Sequence, residues 1–486
     1  MYLYYKTISL SLFIGLLFTA TCQQDDLLCS GIVDKTSNQE FRAVFSTDEK
    51  ATIVASCGVE NKNHLYLDQL DSNLVKVWSK KHELPVDEII AIEQVGGKIV
   101  AFTAFHDKTK KLDMLNAFTI GVDGALSSTI LLSKFTPNGG YHNTFKISVS
   151  PDGKHVGVIN EMAYIKDKNE QVVLQLFNKD LLSKQIKNLT YHNMNTKKKV
   201  NVPVTNNNGL MYVIKRHRIK SNNKYMIFTL GGSGEEHHEL KLRSRSIADV
   251  RYGLNKDGDL ILAGFFTSPI RFNFEGVFFA SFKGHSTPEV KKEYYLTESV
   301  VNEFKSKKEI AKMGFGLDGF RVKKLIVDEN GQSFLIAEHH DIHRDGAERT
   351  DFHKGIVAFK FTRTGDFLWG APVLTRQKDE SAKGYWSSSV PFVKGGKLHV
   401  LFNEIGYFDK KANNEFGENV ELGVRECIIN EAGVTTTNPY TGVFGECSGQ
   451  KYSLQTASNL RLENGLLFLG ESKDQAKYCV IRKSFE

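Results

Sequence analysis

Short β-rich runs recur along almost the whole chain, each broken by a turn built on glycine, asparagine or aspartate. The stretches IEQVGGKIVAFTAF (92–105) and PFVKGGKLHVLFNEI (391–405) are close copies with Gly-Gly-Lys at the bend. The stretches ISVSPDGKHVGVIN (147–160), YGLNKDGDLILAGFFT (252–267), LIVDENGQSFLIAEH (325–339) and LRLENGLLFLGES (460–472) have the same form. Glycine is required at these bends because tight hairpin turns take positive φ, which a Cβ disfavours.

A second hairpin type alternates with the first. LYLDQLDSNLVKVWSK (65–80) matches VAFKFTRTGDFLWGAP (357–372): a strand, a polar turn, then a strand carrying Trp. The segments 116–132, 172–188 and 278–295 are looser members. The first-type bends fall near residues 48, 97, 153, 223, 258, 331, 396 and 465. Two hairpins per repeat at this spacing describe four-stranded units that cannot bury both faces alone and must stack around an axis. The fold expected is all-β: a single β-propeller of seven or eight four-stranded blades spanning 23–486. The count is open because turns at Asn206–Gly209 and Ser221–Asn223 compete within 190–250. The C-terminal AKYCVIRKSFE (476–486) reads as a strand that completes a blade with N-terminal strands and closes the ring, which removes exposed edges. One segment breaks the pattern: 297–316 places Val301, Phe304 and Ala311 at helical spacing, with Gly314 as a C-cap. It is read as a short helical insertion near 297–314, within a blade.

Composition fits one large body: of 486 residues, 41% are hydrophobic and 24% charged, and with nine prolines no low-complexity linker appears. The net charge of +7 is spread along the chain apart from NTKKKVN (195–201) and VIKRHRIK (213–220), read as a solvated rim or an ordinary basic strand. No nucleic-acid-reading module accompanies them, so nucleic acid is not an expected partner.

At the N-terminus, Lys6 precedes the apolar TISLSLFIGLLFTA and then TCQQDD. That is a secretory signal peptide over 1–22, too short for a comfortable membrane span. Two exits fit: cleavage near Ala20–Cys22 to a soluble protein, or cleavage before Cys22 with lipidation. FTATC resembles the bacterial lipobox but has Thr21 where that pattern wants Gly, Ala or Ser. Either exit places the protein in the periplasm, at the outer-membrane surface or outside the cell, touching membrane only through a lipid at Cys22. A closed ring of one chain is expected to be a monomer. Without Cys22, five cysteines remain, an odd number. Cys427 with Cys447 is the expected local disulfide, and Cys29 with Cys57 or Cys479 would tie the chain ends. No Cys-x-x-Cys zinc pattern occurs.

The Ser-Pro-Asp-Gly-Lys of 150–154 resembles the bend of TolB-like and related six- to eight-bladed propellers. RTGDFLW (363–369) resembles the Thr-Gly-x-x-x-Trp segment of quinoprotein propeller repeats. Those repeats carry the Trp in nearly every blade, whereas this chain has Trp78, Trp369 and Trp386, which disfavours a quinone enzyme. GDFLWGAPVLTRQ with the later GKLHVLFNE, mostly residues 320–405, is similar to uncharacterised exported proteins of Bacteroidota-type bacteria; that resemblance implies no catalytic residues.

Two histidine–acid clusters carry the site chemistry that can be read directly. In AEHHDIHRDGAE (337–348), strand alternation would put His339, Asp341 and His343 on one face, a three-ligand set for zinc or copper. In GGSGEEHHE (231–239), Glu235, His237 and Glu239 would align likewise. Both clusters also read as solvent-exposed strand ends. Asp87, Glu88, Asp345 and Glu404 are acids that fit surface positions as well as a glycoside-hydrolase pair. Tyr385, Trp386, Tyr407 and Phe408 could stack on a sugar or fill the gap between blades. No nucleophile elbow or sialidase box is present. The reading that follows is an exported binding or scaffold module for a protein or glycan, without a required cofactor. The alternative is an exported propeller hydrolase or lyase with a metal or acid–base site around 337–348.

Overall fold

The computed structural model describes residues 27–29, 33–34, 39–47, 51–58, 60–137, 142–166, 168–191, 200–219, 222–231, 237–243, 245–268, 273–284, 288–345, 348–353, 355–375, 377–379, 389–404, 423–439, 446–447, 450–462, 465–472 and 477–484. The signal-peptide segment, Cys22, Glu235, Tyr385, Trp386, Tyr407 and Phe408 lie outside them.

The described strands fall into successive four-stranded antiparallel units, each a meander of first, second, third and fourth strand. Units 1 to 7 span 39–83, 88–135, 144–191, 200–240, 246–295, 320–373 and 389–439. Unit 8 is built from Gln450–Leu462, Gly465–Ser472 and Lys477–Ser484, and its fourth strand is the N-terminal Leu27–Cys29, with Leu28 opposite Arg482. A single bridge between Asn223 and Ile247 joins the sheets of units 4 and 5.

Every unit buries both faces, and strand periodicity explains how. In unit 6, Leu335 and Ala337 pack towards unit 5, whereas Phe334 and Ile336 pack towards unit 7. Alternate residues of the central strands thus serve two different cores, which is why runs such as SFLIA and LILAGFF are apolar without a break. Equivalent clusters lie between units 1 and 2, 2 and 3, 3 and 4, and 4 and 5. The ring closes through Val44, Val54, Leu70 and Leu74 of unit 1 against Leu467, Tyr478 and Val480 of unit 8. The Tyr478 hydroxyl bonds the Asp68 carboxylate across this seam, and Arg482 Nη1 donates to Ser72 O at 3.1 Å. First strands approach one another at every joint but that of units 4 and 5, Gln450–Leu462 meeting Gln39–Thr47 at the closure, so they line the central axis. This is a β-propeller.

The alternation of hairpin types has a structural basis. First-type bends join first to second strands, and second-type bends join third to fourth, so both emerge at the same end of the ring. Many share one device: an Asx side chain accepts the N–H groups two and four residues on, and the fourth turn residue takes positive φ. Asn206 binds the N–H groups of Asn208 and Leu210, Asn255 those of Asp257 and Asp259, and Asn430 those of Ala432 and Val434. Gly209, Gly258 and Gly433 supply the positive φ. Leu74 and Leu181 take the same conformation at φ 61 and sink into the core, which offsets the strain.

Several expectations are refined here. Asn206–Gly209 is the first-to-second turn of unit 4, and residue 223 lies inside the strand Asn222–Leu230. The helical insertion is two helices, Glu298–Phe304 and Lys307–Met313, and it sits between units 5 and 6 rather than within a blade. Ser306 and Glu309 form a capping box that starts the second helix afresh, and Gly314 ends it at φ 87. The expected Cys427–Cys447 disulfide is not supported: Cys427 is a buried thiol, and no two cysteines among the described residues lie at disulfide distance. Burial raises its pKa to about 11, ahead of the opposing hydrogen bond with Thr437. No helix among the described residues is long and apolar enough to cross a membrane.

The closing seam generates a prediction. Leu467→Ala is expected to lower unfolding stability by roughly 2–4 kcal/mol, through lost burial plus a cavity. The same change at Leu131, which is 52% exposed, should stay within about 0.5 kcal/mol. Urea denaturation of the two variants measures the difference.

Candidate functional site

The two ends of the ring differ. Among the described residues, the turn end carries tight bends. The opposite rim carries every second-to-third connection and every crossing between units, including the helices at 298–313 and the hairpin Asp341–Asp345 with Glu348–His353. That hairpin and Gln377–Asp379 form a three-stranded sheet projecting from unit 6. Polar clusters gather on this rim and on the axis-facing strands.

One opening lies on the axis side, a cavity of about 500 Å³. Val200 and Val202 of unit 4 line it with Asp249, Arg251 and Tyr252 of unit 5 and Lys323 and Lys324 of unit 6. Arg216 and Tyr225 reach it from the second and third strands of unit 4. Its lining has four basic side chains and one acid. That acid is engaged: Asp249 Oδ2 accepts the Val322 N–H at 2.8 Å, and Oδ1 lies 3.3 Å from Arg251 Nη1. The first strands of units 5 and 6 are bulged between Ile247 and Asp249 and between Val322 and Lys324. A bulge re-aims side chains, and here it leaves the consecutive Lys323 and Lys324 both exposed. Burial, then the Asp249 charge, pushes the Tyr225 hydroxyl up to about 12, so it stays protonated.

Where the crossing from unit 3 to unit 4 meets the rim, a fully buried ion pair joins Lys215 Nζ to Glu170 Oε2 at 2.5 Å. Asn201 Nδ2 donates to Glu170 Oε1 at 2.9 Å and to Glu161 Oε1 at 2.8 Å, and Lys146 Nζ completes Glu161 at 2.8 Å. The Lys215 ammonium also sits over the Tyr191 ring, 4.2 Å from its centroid. Both carboxylates are held by cations, which fits a strap between units better than an acid–base pair.

The residues singled out from sequence are placed as follows. His339 ends the strand Ser333–His339 and Asp341 begins a strand of a different sheet. The chain turns at this point because the N–H groups of His339 and His340 bind Gly355 O and Gly319 O. The expected single strand is therefore broken, yet His339 Nε2 lies 3.8 Å from Asp341 Oδ2. The side chains of His343, Asp345 and Glu404 lie outside the described residues. Nearby, His340 stacks on His353 with centroids 4.7 Å apart, and Glu338 accepts the Ser389 N–H at 2.8 Å. In the other cluster His237 stacks on Phe228, and Glu239 pairs with Lys241 at 2.8 Å and Lys224 at 3.6 Å. Asp87 accepts the His106 N–H, and Glu88 pairs with Lys62.

A third cluster was not legible as a motif. His106 at the end of Lys98–Asp107, Asp113 on Leu112–Ile120 and His142 on the crossing to unit 3 converge on the rim, with ligand atoms all within 4.8 Å of one another.

No family model matches the chain, and no curated protein does. Among solved structures, it is similar to the polysaccharide lyase Uly1, with 11% identity and a TM-score of 0.42 over 83% of this chain and 90% of that one. It is similar to the WD40 domain of SCAP from fission yeast, with 10% identity and a TM-score of 0.40 over 95% and 98%. It is also similar to prolyl oligopeptidase B from Galerina marginata, with 9% identity and a TM-score of 0.39 over 90% and 55%. Likenesses this weak carry no argument about activity. The propeller assignment rests on the strand pairing and the cores between units.

Two predictions concern the buried strap. Lys215→Met strands the Glu170 carboxylate and should cost roughly 3–5 kcal/mol, whereas Lys215→Met with Glu170→Leu should recover most of it; equilibrium denaturation of both variants tests this. The second concerns pH. His217 is buried, and burial, followed by the charges of Lys215 and Lys224, holds its imidazole below the usual histidine range. The folded state therefore takes up its proton later than the unfolded chain. The associated stability is complete above about pH 6.5 and is lost as the pH falls towards the lowered value. Urea midpoints at pH values on either side should differ less in His217→Gln than in the natural chain.

Proposed function

We propose that this protein is an exported, monomeric propeller of eight blades that binds a protein or glycan through anionic groups taken up in the axial cavity. The observation that carries the reading is the cavity itself. Arg216, Arg251, Lys323 and Lys324 face a space of about 500 Å³ between units 4, 5 and 6, a volume in the range of small-ligand sites. Asp249 accepts a backbone amide and pairs with Arg251, and basic side chains outnumber acidic ones in the lining. Guanidinium forks suit carboxylate or sulfate groups, and Tyr252 offers an aromatic face beside them. The loop-rich rim supplies the surrounding contacts. Export rests on the hydrophobic segment 7–20 after Lys6, with a soluble or Cys22-lipidated product.

The test is a binding panel of carboxylated and sulfated oligosaccharides, acidic peptides and neutral counterparts. Acidic ligands should bind with salt-sensitive affinity, and Arg251→Glu with Lys323→Glu should weaken them at least about tenfold, a loss of one charge-assisted contact. Equal binding of neutral ligands, or indifference to the charge reversal, would sink the reading. A second reading, a hydrolase or lyase, has one observation in its favour. His339, Asp341, His340, His353 and Glu338 gather beneath the hairpin that projects from unit 6. Accumulation of cleaved product from any ligand of the panel, abolished by His339→Ala, would favour it over binding without turnover.

A further inference from the structure

We propose that His106, Asp113 and His142 form a binding site for a zinc-class divalent cation on the rim between units 2 and 3. The site is separate from the axial cavity and from the His339 cluster. The His106 Nδ1 atom lies 2.7 Å from Asp113 Oδ1, and His142 Nδ1 lies 3.2 Å from the same oxygen. The two imidazole rings meet edge to face, with centroids 3.8 Å apart. Without an ion, each ring can donate an Nδ1 proton to the carboxylate. With the proton on Nε2 instead, each Nδ1 offers a lone pair, and the ligand atoms of the three residues lie within 4.8 Å of one another. Around a tetrahedral ion with bonds of about 2.0–2.1 Å, ligand atoms stand about 3.3–3.4 Å apart. The observed separations need only a small opening, and the exposed His142 can supply it.

Three features favour a cation over a plain hydrogen-bonded cluster. Asp113 is buried, with only 5% of its side chain exposed, yet among the described residues it has no lysine or arginine partner. A buried carboxylate without a lysine or arginine beside it can take a bound cation as its counter-charge. Its second oxygen is already fixed by the Asn143 N–H at 2.8 Å, and the His106 backbone N–H is held by Asp87 Oδ2 at 2.5 Å. These are the supporting bonds that a metal site uses to orient its ligands. The Asn143 side chain, next in the chain to His142, is buried with both amide atoms unbonded. A water on the ion would give such an amide a partner. Two imidazoles and one carboxylate select zinc, copper or nickel over calcium or magnesium, which prefer all-oxygen sets. Three protein ligands leave a fourth position for water or for an oxygen of a bound molecule, and the exposed rim gives it access.

The experiment is calorimetric titration of the purified chain with zinc chloride, alongside the visible absorption of the cobalt-loaded protein. One equivalent should bind, with a tetrahedral cobalt spectrum. His142→Ala, an exposed position that should leave the fold intact by circular dichroism, should weaken zinc at least about tenfold. His106→Ala should abolish the cobalt bands. The double variant His339→Ala with His343→Ala should keep the equivalent. No zinc binding by the natural chain, unchanged affinity in His142→Ala, or loss of the equivalent in the double variant would overturn the proposal.

Discussion

The molecule depends on the closure between its last sheet and its first. Each unit covers its apolar faces with its neighbours, so a linear stack would end in two exposed hydrophobic sheets. The chain avoids this by lending Leu27–Cys29 to the C-terminal sheet and packing Leu467, Tyr478 and Val480 on unit 1. The N-terminal strand thereby becomes the last piece of the final blade. The seam is apolar at its centre and is tied at its edge by the Tyr478–Asp68 bond; burial, then the Asp68 charge, keeps the tyrosine hydroxyl far from ionisation. Contacts between residues some four hundred positions apart must form before the two end faces are covered, which makes closure of the ring a non-local step.

Closure also divides the labour between the two ends. One end is spent on tight turns whose backbone groups are satisfied locally, by Asx side chains and left-handed residues. The other end is free to vary, and it holds the helices, the projecting sheet, the buried Glu170–Lys215 strap and the histidine clusters. The axial cavity lies between these ends, where the bulged first strands of units 5 and 6 turn lysine and arginine side chains towards the axis.

Much of the frame was readable from residue order. The Gly and Asx bends are legible because positive φ and Asx hydrogen bonding restrict what can occupy a turn, and the alternation of two hairpin types survives as the alternation of first–second and third–fourth strands. The C-terminal strand was legible from its apolar run. The helix break at Lys305 was not, because its cause is the capping box of Ser306 with Glu309, overlooked within a polar stretch. The site was less readable. His339 and Asp341 were expected to alternate along one strand, but backbone bonds to Gly319 and Gly355 turn the chain between them. Arg216, Arg251 and Lys323 come from three units and share no local pattern. His106 and His142 are brought together by a crossing between units, so no spacing rule could have paired them. The Cys427 thiol, buried on a central strand, shows that bracketing one loop with Cys447 is a poor guide to bridging.

A ring of look-alike sheets faces a sorting problem: any apolar face can dock on any other. The Glu170–Lys215 pair gives one joint an address. An apolar neighbour placed against unit 3 would leave the Glu170 carboxylate desolvated, and an apolar neighbour placed against unit 4 would leave the Lys215 ammonium so. The pair therefore acts less as cement than as a key, penalising assembly in the wrong order at the midpoint of the chain, where a misplaced blade would send every later one out of step.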